Sequence, residues 1–196
     1  MACKAFEDRV LNDLLPKFCD DPSRGWGRKG FQPEWSKVSD KDAEDFLRGL
    51  DVGLIEHCGR GLYKAPKSKA SEQFFWSGSI NTDPRKITLW VEPIITVAVL
   101  ARLHLELEWP KYLLGTQSKK WAFDVVTYDP RNPEKEYIAC EVKKSKRELE
   151  KLIIHMKDAS GITLKPAVGA ECGRLHSVLD RISTGRCGAA GGLGGR

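Results

Sequence analysis

The sequence predicts a mixed α/β fold, and three features of the chain after residue 86 predict it. A stretch from Pro93 to about Glu108 is apolar on most faces, which is typical of a helix buried against a sheet. A charged amphipathic helix is predicted later, from Ser145 to about Lys157. Between them lie three strand candidates, Tyr112–Gln117, Trp121–Tyr128 and Glu136–Val142. We therefore expect the order helix, strand, strand, strand, helix.

Residues 1–66 are expected to form a mainly helical accessory region. Apolar residues recur at helical spacing over residues 4–19, and a second helix is predicted after Ser39, a residue type that caps helix N-termini. Leu54–Ala65 follows as two short strands around the Gly59-Arg60-Gly61 turn. A helix followed by such a hairpin is similar to the end of a winged-helix module, in which the hairpin is the wing. The alternative is an ordinary packing unit without a role in binding.

Residues 67–86 are interpreted as a connector, because lysine, serine and proline are frequent there. The stretch also contains three adjacent aromatics, Phe74 to Trp76. Aromatics among lysines can stack on nucleic-acid bases. Three in a row more often fix a linker onto a domain surface, and we expect that role here.

The core is expected to span residues 87–183. After it, Ile162–Val168 is a poor strand candidate because Pro166 interrupts it, and Leu175–Ile182 is predicted as a short helix. Residues 184–196 are rich in glycine and are expected to be disordered. This ending suggests either a truncated core or an unrelated extension.

Composition narrows the class of protein. With 41% hydrophobic and 30% charged residues among 196, the chain is expected to be globular. Its longest apolar stretch is too short to span a bilayer, no signal peptide is visible, and the six cysteines stand singly. We therefore expect a cytoplasmic protein with reduced thiols and no membrane partner. The net charge of +5 is compatible with a polyanionic partner but does not require one.

Two carboxylates and a lysine form the candidate site. Asp124 lies in the second predicted strand, and Glu141 and Lys143 lie two positions apart in and after the third. Residues two apart on a strand share a face, and a hairpin closed through Asp129–Pro133 would bring both carboxylates to one end of the sheet. Hard oxygen donors of this kind suit Mg²⁺. The alternative is a solvated edge of salt-bridged residues.

Residues 87–157 resemble the PD-(D/E)xK phosphodiesterase superfamily and look similar to its nucleases of the Holliday-junction-resolvase type. The matching residues are Asp124, Glu141 and Lys143, although Phe123 replaces the proline of the motif. The resemblance implies a restriction-endonuclease-like core of helix, three-stranded meander, helix and further strand. It also implies Glu92 as a third metal ligand beside Asp124 and Glu141, with Glu106 and Glu108 as weaker alternatives.

The activity implied by this resemblance is endonucleolytic hydrolysis of DNA by metal-activated water, with Mg²⁺ as cofactor and Mn²⁺ as a substitute. Lys143 would assist the water or the transition state. RNA stays open as a substrate, as does a homodimer. The other hypothesis is a nucleic-acid-binding or assembly module with the same fold and no catalysis.

Basic residues at the end of the third strand and on the next helix are the candidates for contact with the nucleic-acid backbone. Since acidic residues interrupt the run, ordinary pairing of residues four apart along a helix is an equal alternative. The candidates are Lys144, Lys146, Arg147 and Lys151.

Overall fold

The computed structural model describes residues 2–21, 27–118 and 123–160. Within these ranges the chain is mixed α/β, with three small sheets of three strands each. It divides into two compact units, Met1–Lys144 and Ser145–Arg196. The strand, helix and glycine-rich tail predicted after residue 161 lie outside the described residues.

The N-terminal helical run confirms the helix predicted over residues 4–19, but it is not a uniform α-helix. Helix α1 (Ala2–Arg9) continues through a π-helical turn (Val10–Leu14) into α2 (Leu15–Cys19). Pro16 has no N–H to donate to the turn before it. The Leu15 N–H bonds the Val10 carbonyl, one residue further back than in an α-helix, so the ladder widens where the proline enters.

The helix predicted after Ser39 is confirmed as α3. Strand β1 (Phe31–Gln32) comes first, and α3 (Asp40–Asp51) begins where the Ser39 hydroxyl accepts a hydrogen bond from the Asp42 N–H at 3.1 Å. This bond satisfies one of the N–H groups that a helix start leaves unpaired.

The predicted glycine hairpin is also confirmed, as β2 (Glu56–His57) and β3 (Leu62–Lys64). Gly59, Arg60 and Gly61 all have positive φ between the strands. A Cβ at Gly61 would come within 2.8 Å of the Phe18 backbone, so this position requires glycine. Strand β4 (Glu72–Gln73) pairs with β3 and completes the first sheet.

The second sheet has the order β1-β6-β5, from β5 (Phe75–Ser77) and β6 (Ile87–Leu89). One expectation about the connector is wrong. Phe74 and Phe75 are fully buried and do not lie on a domain surface. The Phe74 ring packs on Phe46 and Tyr63. These aromatics therefore belong to the core of the first unit.

Helix α4 (Val91–Leu105) is buried along nearly its whole length, as its apolar sequence predicts. It begins two residues before the predicted start and ends three residues before the predicted end. Pro93 lies in its first turn, where its missing N–H costs no helical hydrogen bond. Arg102 of α4 contacts Asp42 and Asp45 of α3 at 2.7 and 2.5 Å, which links the two helices.

The three predicted strands are present as an antiparallel meander, β7 (Leu114–Thr116), β8 (Val125–Asp129) and β9 (Asn132–Cys140). The hairpin loop is tighter than predicted, because residues 132 and 133 belong to β9 and the turn is confined to residues 130 and 131. In the second unit, α5 (Lys146–Ser160) matches the predicted charged helix, and the Ser145 hydroxyl accepts from the Glu148 N–H.

The domain boundaries predicted after residue 66 and after residue 86 stay a prediction. Cys19, Cys58 and Cys140 are free thiols. Burial raises the pKa of the Cys140 thiol to about 11. Among the described helices, none combines the length and apolar character needed to cross a bilayer.

Candidate acidic site at the end of the meander

Asp124 and Glu141 lie one residue outside the strands that were predicted to contain them. Asp124 directly precedes β8 and Glu141 directly follows β9. The last register pair of these strands is Val125 opposite Cys140, so one further step places Asp124 opposite Glu141. The meander therefore brings the two acidic residues to the same end of the sheet.

The strands stop short of Asp124 because regular pairing ends there. The Asp124 carbonyl still accepts from the Gln117 N–H at 2.9 Å, but Gln117 has a positive φ of 61°. This left-handed conformation turns the chain out of β7. Asp124 is thus placed by a strand on one side and by a turn on the other.

The Asp124 carboxylate is fixed across the sheet by the backbone of the Glu141 segment. Its Oδ2 accepts a hydrogen bond from the Val142 N–H at 2.7 Å. Since Val142 lies between Glu141 and Lys143, this bond ties all three predicted catalytic residues to one short stretch of backbone. Sequence reasoning identified the three side chains but not the amide that aligns them.

The interactions around Asp124 shift its protonation equilibrium toward the neutral form. Burial raises the pKa of this carboxyl, and the negative charges of Glu141 and Glu92 raise it further. The Val142 N–H and the Lys143 cation act in the opposite direction, and the pKa remains raised overall. Among the described residues whose charges act on Asp124, two acids therefore stand against one cation.

Lys143 forms an ion pair with Glu141, its Nζ lying 2.5 Å from Oε1. Both side chains are about one quarter exposed, so the pair is neither buried nor fully solvated. The hydrogen bond that Lys143 donates to Glu141 is the main cause of the raised pKa of Lys143, which burial opposes. Lys143 is thus held as a cation beside the acidic residues.

Glu92 approaches this group from the first turn of α4. Its charge acts on both Asp124 and Lys143, which places it in their electrostatic neighbourhood. The weaker alternatives lie at the other end of the helix. Glu106 is its C-cap and is about 20 Å from Glu92 along the helix axis, at about 1.5 Å per residue. Glu106 also pairs with Lys41. Of the three glutamates, the fold favours Glu92.

Glu72 is an acidic neighbour that sequence reasoning missed. It is only 7% exposed, and burial raises the pKa of its carboxyl. The Thr116 side chain hydrogen-bonds it and opposes that rise, while the charge of Asp124 adds to it. No sequence pattern around Glu72 signals this position, because its burial depends on the pairing of β4 with β3 and on the approach of β7.

The carboxylate oxygens of this site suit a divalent cation that keeps several water ligands more than a metal ion enclosed entirely by protein ligands. Within residues 2–21, 27–118 and 123–160, no group of three or more His, Cys, Asp or Glu side chains is close enough to hold a metal ion. Mg²⁺, however, is commonly bound through one or two carboxylates and keeps several waters. Asp124 and Glu141, opposite each other and both oxygen donors, fit that mode, with Glu92 as a more distant acid.

The side chains predicted to contact the nucleic-acid backbone lie in different units. Lys144 is exposed at the end of the first unit. Lys146, Arg147 and Lys151 are exposed on α5 in the second, where Lys146 lies 3.8 Å from Glu150, four residues on. This pair is the ordinary helical pairing considered as the alternative. Contact of these cations with nucleic acid stays a prediction.

Comparison of the chain with protein-family models, with curated proteins and with solved structures finds no match in any of the three. A restriction-endonuclease-like core therefore stays a prediction based on Asp124, Glu141, Lys143 and the order of the elements around them.

Proposed function

We propose that this protein is a metal-dependent endonuclease that hydrolyses DNA phosphodiester bonds. The observation that carries the proposal is the register of β8 and β9, which sets Asp124 opposite Glu141 with Lys143 on the same segment. The raised pKa of Asp124, which arises from burial and from the charges of Glu141 and Glu92, adds to this support. Perturbed carboxyl groups of this kind are concentrated at functional sites.

Each residue has a distinct role in this proposal. Asp124 and Glu141 would hold the cation, with Glu92 contributing negative charge from α4. Mg²⁺, when bound, supplies a water of lowered pKa and neutralises charge on the phosphate. Lys143 would donate a hydrogen bond to the attacking water or to the developing negative charge on the phosphate. The Val142 N–H keeps the Asp124 carboxylate in position.

A second candidate is a binding or assembly module that has the same site but does not cleave. Two observations favour it. In the described part of the chain no three acidic groups stand close enough for a metal ion, and the Glu141 Oε1 is engaged by Lys143 at 2.5 Å. A cation would have to compete with that ion pair or use the other oxygen of Glu141.

Cleavage of supercoiled, linear, junction and single-stranded DNA, and of RNA, in Mg²⁺, Mn²⁺ or EDTA tests the proposal. We expect Asp124→Ala and Lys143→Ala each to lower Mg²⁺-dependent cleavage at least about a hundredfold, because each removes a group that acts in the transition state. Their circular dichroism spectra should match the wild type.

Glu134→Ala and Lys135→Ala provide matched controls, since both residues are exposed on the same strand near its opposite end. They should cleave as the wild type does. DNA binding by the wild type without cleavage in either metal would favour the module. Equal cleavage by Asp124→Ala and the wild type would exclude the proposed site.

A further inference from the structure

One face of the second sheet carries two exposed tryptophans. In β6, Ile87 and Leu89 are buried, so the residues that alternate with them point to the other face. These are Lys86, Thr88 and Trp90, of which Lys86 and Trp90 are exposed. Strand β6 is central in its sheet, so the half-buried Thr88 lies in the middle of this face.

The neighbouring strands extend this surface on both sides. Trp76 of β5 pairs with Thr88, and so does Gln32 of β1 on the other side. Trp76 is 60% exposed and Trp90 38%, and their rings meet edge to face with centroids 5.8 Å apart. We call this surface the tryptophan face; its residues are Gln32, Trp76, Lys86, Thr88 and Trp90.

Positive charge collects at one end of the tryptophan face. Strands β1 and β6 are parallel, so the residues before each of them meet at the same end of the sheet. The exposed cations among them are Arg28 and Lys29 before β1 and Lys86 before β6, whereas Arg85 donates its Nε–H to the Gly78 carbonyl. Gly30 packs directly on the Arg85 carbonyl, leaving no room for a side chain, so the two segments are in close contact.

The other end of the tryptophan face is next in the chain to one residue of the candidate site. Trp90 follows β6 and is the N-cap of α4, and Glu92 lies in the first turn of that helix. The cationic end and the Glu92 end of β6 are therefore opposite ends of the same strand.

We propose that the tryptophan face binds single-stranded nucleic acid, with bases stacking on Trp76 and Trp90 and phosphates contacting the cationic end. Exposed aromatic rings on a sheet next to basic residues are how proteins bind unpaired bases without sequence preference. In duplex DNA the base faces are covered, so the rings select single-stranded or unwound segments. This inference rests on the proposed function, because it names the form of substrate that the site receives.

Binding to a fluorescently labelled oligothymidine of about 15 nucleotides, measured by anisotropy in EDTA, tests this inference without cleavage. We expect Trp76→Ala and Trp90→Ala each to weaken binding about tenfold and Trp76→Phe to restore most of it, since one stacked base is lost and then regained. Binding to a duplex of the same length should change less than twofold. Tyr112→Ala, which removes an exposed aromatic outside this face, is the control and should bind normally.

Unchanged oligothymidine binding by both tryptophan variants would overturn the inference, as would equal loss in Tyr112→Ala. Dissociation of a dimer by Trp76→Ala, with oligothymidine binding unchanged, would show that a second copy of the chain covers the face instead. Cleavage is measured separately in Mg²⁺. A wild type that binds oligothymidine through the tryptophans but cleaves nothing would reject the nuclease proposal and retain this one.

Discussion

The interface between α3 and α4 and the acidic site at the end of the meander both remove carboxylates at least partly from water, but they balance charge in opposite ways. At the interface, Asp42 and Asp45 both contact the buried Arg102, at 2.7 and 2.5 Å, and Asp45 also pairs with Lys41 and Arg48. At the site, the charges acting on Asp124 include two carboxylates, Glu141 and Glu92, against Lys143. Among the described residues, the first cluster is compensated and the second has an excess of negative charge.

The two clusters also differ in the pKa directions of their charged groups. Burial alone would lower the pKa of Arg102, yet its hydrogen bonds to Asp45 and Asp42 raise it, so the interface stabilises the guanidinium charge. Burial and neighbouring acids raise the pKa of Asp124, so the site disfavours its carboxylate charge. A bound cation would relieve this cost, which is why the proposal places Mg²⁺ here.

The largest effect on stability should follow from breaking the compensated cluster. Arg102→Met leaves two carboxylates buried without their main cation, and we expect it to lower the free energy of unfolding by about 3 to 5 kcal/mol. Urea denaturation followed by circular dichroism measures this change. Lys37→Met is the control, because it removes an exposed ion pair with Glu34, and should cost less than about 1 kcal/mol. Equal losses in the two variants would contradict the distinction drawn between buried and exposed pairs.

A smaller effect of opposite sign is expected from Asp124→Asn. Because the folded-state pKa of Asp124 is raised above its ordinary 3.8, the unfolded chain releases this proton first as the pH rises. The wild type therefore loses stability as pH rises from about that ordinary value through the folded pKa, and the penalty is complete above it.

The asparagine variant lacks this titration, so it should melt above the wild type at pH 7 in EDTA, with the difference fading toward pH 3. Thermal melts across this range measure it. A variant that is less stable at pH 7 would mean that the hydrogen bond from Val142 outweighs the charge excess.

The smallest effect concerns Lys144. If its charge contacts a phosphate, Lys144→Ala should reduce the slope of log binding constant against log salt concentration by about 1. Anisotropy titrations with DNA over a range of salt concentrations measure this slope. Lys64→Ala, on the β2–β3 hairpin, tests the winged-helix interpretation in the same assay. If neither variant changes the slope, neither lysine contacts a phosphate, and any DNA contact is made by other cations of the protein.

The sequence could predict the local part of this structure. The Ser39 cap, the Gly59–Gly61 turn and the β8–β9 hairpin are each specified by residues that are close in the chain. The same holds for the candidate site, since Asp124, Glu141 and Lys143 lie on the two sides of one hairpin. A short loop fixes the register, and the register fixes which side chains are opposite.

What the sequence could not predict depends on contacts between distant segments. The pairing of β1 with β6 and the burial of Phe74 and Phe75 need partners far away in the chain. Glu72 is a polar residue in a stretch resembling a linker, and only the folded chain brings it beside Thr116. The tryptophan face likewise exists only after β5, β6 and β1 have assembled.

The central claim is that the excess negative charge around Asp124 binds a divalent cation, and magnesium-dependent thermal stability tests it most directly. At Mg²⁺ several times its dissociation constant, the wild type should gain about 1 kcal/mol, or about 2 to 4 °C in Tm, relative to NaCl of equal ionic strength. Asp124→Asn should show little or no such gain. An equal gain in both proteins, or none in the wild type, would contradict the claim.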